Sequence, residues 1–133
     1  MPATGMTPEL TLLAWSIALT LLILVVASVG ATMQVGLPKL AGNRDEAPEI
    51  TGWAGRARRA HSNMLESLPL FAAAILIAQV AGQTNGMTHL GAQLFFWGRV
   101  AHAAVYIAGI AWLRTLVWGV SIVGLVLVLL QLL

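Results

Sequence analysis

Seventeen residues, Gly55 to Phe71, read Gly-Arg-Ala-Arg-Arg-Ala-His-Ser-Asn-Met-Leu-Glu-Ser-Leu-Pro-Leu-Phe and gather much of the ionisable chemistry of an otherwise apolar chain. At about 100° per residue, Arg56, Arg59, Asn63, Glu66 and Leu70 share one helical face, whereas Arg58 points elsewhere. Guanidinium groups bind carboxylates through paired hydrogen bonds, and a glutamate takes a cationic amine, so the stripe suits a ligand that carries both charges. A second set, Arg99, His102 and Tyr106, recurs at helical spacing further along.

Both sets lie where a membrane would have to be. The charge-free run Ser67 to Ala81 has only fifteen residues, about 22 Å of helix against a hydrocarbon core of about 30 Å. The span must therefore reach back past Glu66, to about Asn63. A carboxylate at that depth costs on the order of 2.5 kcal/mol or more unless paired, protonated or hydrated, and such residues face a bundle interior or cavity.

The chain as a whole supports that placement. Of its 133 residues 59% are apolar and 9% charged, with mean hydropathy +0.86, which describes an all-α integral membrane protein and excludes the charged surface of a soluble domain. The net charge of +2 and pI near 10 come from basic residues flanking apolar spans, which argues against nucleic-acid binding. There is no cysteine, so any thiol chemistry needs a thiol brought by a substrate. The three histidines share neither a layer nor a ligand spacing, which argues against a metal site.

Four transmembrane helices are expected, at about 10–35, 55–82, 87–113 and 115–133, forming one membrane domain over residues 1–133. Lys39, Arg44, Arg56, Arg58 and Arg59 lie between spans one and two and Arg114 between three and four, which places both termini outside the cytoplasm. The short turn after Gly82 makes spans two and three an antiparallel hairpin. Glu66 and His102 then stand level, about 22 to 24 Å from the turn, Asn63 and Tyr106 both at about 28 Å, and Arg99 one turn shallower, within reach of Glu66. Either Glu66 and Arg99 form a buried ion pair holding the bundle, or the layer lines a cytoplasm-facing ligand cavity whose surplus cations await an anion or anionic lipid headgroups. Arg114 has its own plain alternative, a positively charged anchor at the membrane surface.

Arg-Arg-Ala-His-Ser-Asn-Met-Leu-Glu followed by Pro-Leu-Phe at 58 to 71, and Gly-Arg-Val-Ala-His-Ala-Ala-Val-Tyr at 98 to 106, resemble the MAPEG family, the membrane-associated proteins of eicosanoid and glutathione metabolism. The likeness is greatest to the microsomal glutathione transferase branch and its bacterial relatives. The resemblance implies a homotrimer of four-helix subunits, residence in a bacterial inner membrane among lipids, and glutathione as cosubstrate bound between neighbouring subunits. It implies glutathione contacts from Arg58, Arg59, His61, Asn63, Glu66, Arg99 and Tyr106, thiolate stabilisation by Arg114, and accessory places for Arg56 and His102. The implied activity is transferase or peroxidase chemistry on a lipophilic second substrate, electrophile or hydroperoxide. Ser67 stands where the leukotriene synthase branch has tyrosine, and span one lacks the arginine that some relatives bring to the site, so eicosanoid specificity is not expected. The family also includes a lipid-binding member without a demanding catalytic role, so a non-catalytic scaffold is the alternative.

Overall fold

The computed structural model describes residues 5–45 and 48–133. Helices α1 (Pro8–Val35), α2 (Leu37–Ala41), α3 (Gly52–Val80), α4 (Gly86–Ala108) and α5 (Ala111–Leu130) follow one another with short connections. Four of the helices are long, and α2 is an unforeseen single turn in the first connection. Three of them, α1, α3 and α5, are long and apolar enough to cross a membrane. α4 is not among these three, although it packs extensively against α5.

Local chemistry sets the ends. Thr7 caps α1 by accepting from the Leu10 amide at 3.2 Å, with Pro8 at the first helical position, where its missing N–H costs nothing. Asn85 and Thr88 form a reciprocal capping box that starts α4. Gly109, at φ 84°, closes α4 in the left-handed conformation that favours glycine. The third helix therefore stops at Ala108, five residues before the expected boundary, and α5 begins at Ala111. Arg114 consequently belongs to the first turns of α5 and not to the end of the third span. α3 runs unbroken through Pro69.

Phe71 of α3 stacks on Phe95 of α4, ring centroids 4.0 Å apart, and both are fully buried with Met64, Ile75 and Val128 around them. The α4–α5 seam is lined by small residues. A Cβ added at Gly98 would stand 3.0 Å from the Ser121 backbone nitrogen, so the two backbones meet there directly.

The far end of the bundle is sealed by hydrogen bonds that join all four long helices. Glu9 is buried and accepts from Thr88 Oγ1 at 2.6 Å. Thr7 Oγ1 donates to Gln79 Oε1 at 2.5 Å, and Asn85 Nδ2 donates to Gln131 Oε1 at 2.9 Å. The sequence reading placed Glu9 outside the first span and did not foresee its burial.

Candidate functional site

Arg99 is the largest fully buried side chain, 1% exposed. Its Nη1 donates to Asn63 Oδ1 at 2.5 Å, and its guanidinium lies 5.7 Å from the centroid of the Phe95 ring. Nε and Nη2 have no partner among the described residues. A buried donor left unmade costs about 1–3 kcal/mol, more for a charged group, so two on one guanidinium are an unmet demand for an acceptor.

The ion pair with Glu66, one of the two readings of this layer, is not what satisfies Arg99. Asn63 takes the available bond, and Glu66 lies exposed on the outer face of α3. Depth counting put Glu66 and Arg99 within reach along the membrane normal, but it carries no information on how α3 is rotated against α4. Asn63, one turn away, is the residue turned inward.

Next to Asn63 a cavity of about 250 Å³ is lined by Asn63, His102, Tyr106, Arg114, Thr115 and Trp118. The guanidinium of Arg114 sits 4.7 Å over the Tyr106 ring, and the His102 ring meets Tyr106 edge-on at 5.4 Å. Arg114 reaches this cavity because Gly109 turns the chain and returns α5 beside α4. Thr115 and Trp118 were missed by the sequence reading. Trp118 lies one turn after Arg114 on the same face of α5, a signal that helical spacing offered.

Arg56 has a structural bond of its own. Its Nε donates to the Ile107 carbonyl at 2.8 Å, fastening the start of α3 to the last turn of α4, where helix carbonyls lack partners.

Arg58 and His61 stand on the other flank of α3. They line a separate cleft of about 500 Å³ between α1, α2 and α3, together with Arg44 and Ser62. Arg59 and Glu66 are exposed between the two clefts. The chain therefore brings Asn63, His102, Tyr106 and Arg114 together, with Arg99 bonded behind Asn63, and does not bring Arg58 or His61 to them.

An all-helical bundle with three helices able to cross a membrane, and with a buried arginine behind a cationic and aromatic cavity, defines a membrane protein that carries a polar layer within its helices. The chain belongs to the MAPEG family, whose family model matches residues 9–133. No curated protein matches the chain. Membership supports a membrane protein of the glutathione and eicosanoid metabolism type.

Proposed function

We propose that the protein is a glutathione-dependent transferase or peroxidase that acts on lipophilic electrophiles or hydroperoxides dissolved in the bilayer. The observation that carries this reading is the Arg99 guanidinium, buried with Nε and Nη2 unpartnered beside Asn63. A carboxylate-bearing ligand supplies the acceptors that the protein withholds. Glutathione offers two carboxylates, an ammonium for Glu66 and a thiol for the cavity under Arg114.

In this reading Arg114 favours the thiolate by its fixed positive charge, and Tyr106 holds the guanidinium in place through its ring face. The thiolate sulfur forms a bond to the electrophilic carbon, and the leaving group departs with the electron pair that bound it. His102 and Asn63 orient the peptide, and Arg56 keeps α3 against α4.

A homotrimer completes the site. Arg58, Arg59, Ser62 and Glu66 are exposed or half-exposed along one side of α3, a helix apolar enough to cross the membrane. A charged side turned to lipid is costly, so a second copy covering it is the arrangement with lower free energy. A neighbour placed there sets its Arg58 and His61 against the cavity of the first. On this reading all four long helices cross a bacterial inner membrane, with the site toward the cytoplasm.

The activity is tested by reconstituting the purified protein with glutathione and an aryl halide that partitions into lipid. Conjugation above the uncatalysed rate is expected. Its absence in an intact oligomer, across several electrophiles and hydroperoxides, would leave a lipid-binding or scaffold role.

A further inference from the structure

Arg56 makes a second contact beyond its bond to the Ile107 carbonyl. A Cβ built on Gly109 would stand 3.3 Å from Arg56 Nε, 3.4 Å from Cζ and 3.6 Å from Cδ, so the side chain lies directly against the bare face of that glycine. Gly109 is therefore required twice, for its φ of 84° and for the space its missing side chain leaves to the guanidinium. The bond from Nε to Ile107 at 2.8 Å aims the group at the same place. A residue at the start of α3 thus holds the chain where α4 ends and turns into α5.

The turn has few other means of keeping its shape. The amides of Gly109 and Ile110 return to the Val105 and Tyr106 carbonyls, which closes α4 and leaves the Ile107 carbonyl to Arg56. α5 opens on Ile110, an apolar N-cap that makes no side-chain bond. The Arg114 amide donates to the Ile110 carbonyl at 3.1 Å, so Arg114 stands one helical turn from the braced glycine. Its guanidinium ends 4.7 Å over the ring of Tyr106, which belongs to the same last turn of α4 as Ile107. A tilt of α5 about this turn reaches Arg114 through a very short length of chain.

We infer that Arg56 is a positioning residue for the proposed reaction: by bracing the Gly109 turn it fixes the start of α5, and with it the place of Arg114 above Tyr106. The inference rests on the glutathione reading and deepens it, and it gives Arg56 no ligand contact of its own. Nε is committed to Ile107 and the end of the side chain to Gly109. Coulomb attraction falls with distance, so a displaced cation favours a thiolate less strongly. The effect on the reacting sulfur should exceed the effect on the rest of the tripeptide, which other groups hold. Lysine at this position can donate to a carbonyl but lacks the planar group that lies against Gly109, so it should brace the turn only in part.

The test follows the ultraviolet absorbance of bound glutathione thiolate against pH, with kcat and glutathione KM, in wild type, Arg56→Ala, Arg56→Lys, Gly109→Ala, Arg114→Ala and the combined Arg56→Ala, Arg114→Ala protein. In Arg56→Ala the pH of half-maximal thiolate should rise by about half a unit or more and kcat should fall about fivefold, with KM within about twofold of wild type. Arg56→Lys should recover part of both. Gly109→Ala keeps every cation and disturbs the same contact from its other side, so it should show the same rise, which loss of the Arg56 charge alone does not explain. In the Arg114→Ala background, Arg56→Ala should add nothing further. Additive effects of the two would mean that Arg56 acts on the thiolate directly, and a raised KM at unchanged thiolate yield would make it a ligand contact. Either result overturns the assignment and leaves the glutathione site standing, as would unchanged thiolate and turnover in Arg56→Ala or Gly109→Ala whatever the thermal midpoint does. Arg56→Gln replaces the alanine variant where that one does not fold. Wild type that shows no bound thiolate would overturn the inference and the glutathione reading together.

Discussion

Asn63 Oδ1 accepts from Arg99 Nη1 at 2.5 Å across the α3–α4 contact, and among the described residues it is the one hydrogen bond made by a guanidinium whose Nε and Nη2 are buried without partners. The pair ties the two helices at the level of the cavity and leaves the arginine two donors short. A ligand that accepts from those donors would bind the layer and stiffen it together.

Asn63→Leu removes the only hydrogen-bond partner Arg99 has among the described residues. We expect a loss of about 1–3 kcal/mol of stability for the third stranded donor, read as a lower thermal midpoint in the absence of ligand. Saturating glutathione should narrow the gap if it supplies acceptors, and an unchanged gap would place its carboxylates elsewhere.

Glu66→Gln separates the two roles first considered for that glutamate. Because Arg99 is bonded to Asn63 and Glu66 is exposed, the substitution strands no buried partner, and assembly and expression should be retained. Glutathione binding should weaken, since the ligand ammonium loses a carboxylate, by roughly tenfold for one charge-assisted contact. Disruption of the oligomer with unchanged affinity would restore a structural role for Glu66.

Arg114→Ala should act on the thiol more than on the peptide. The ultraviolet absorbance of bound thiolate should fall, and conjugation should slow by more than binding weakens, because the charge acts on the reacting sulfur. Arg114→Lys should recover part of both. Equal thiolate yield and turnover in the alanine variant would reduce Arg114 to a membrane-surface anchor.

Gly98→Val probes the seam that aims α5. Its side chain would press on Ser121, whose backbone nitrogen is 3.0 Å from even the first added carbon. Overpacking of this kind costs about 1–3 kcal/mol, and displacement of α5 should move Arg114 off the Tyr106 ring. Thermal denaturation and glutathione affinity should therefore fall together, whereas a drop in stability at constant affinity would separate the seam from the site.

What the sequence revealed follows from which quantities helical periodicity carries. Rise per residue and a tight turn brought Asn63, His102 and Tyr106 to one layer, and all three line one cavity. Periodicity also set Arg58 apart from Arg56 and Asn63, and the structure puts it on the other flank of α3. The rotation of one helix against the next is decided by packing, here Phe71 on Phe95, and it gave Arg99 to Asn63 and not to Glu66. Arg114 was legible as a cation near the end of the third apolar run. Its helix was not, because a glycine within an apolar run reads as packing until a left-handed cap is seen at Gly109. Arg44 sits outside any periodic segment, so only the folded connection could reveal the cleft it lines.

Glutathione occupancy of the layer between Arg99 and Arg114 is tested most directly by calorimetric titration of the intact, purified oligomer, with its thermal midpoint followed at rising glutathione. Saturable heat is expected, with stabilisation that grows by mass action to about 2.7 kcal/mol at a hundred times the dissociation constant. No saturable heat and an unmoved midpoint, in protein whose oligomer is intact, would contradict the glutathione reading and leave Arg99 as a buried structural cation.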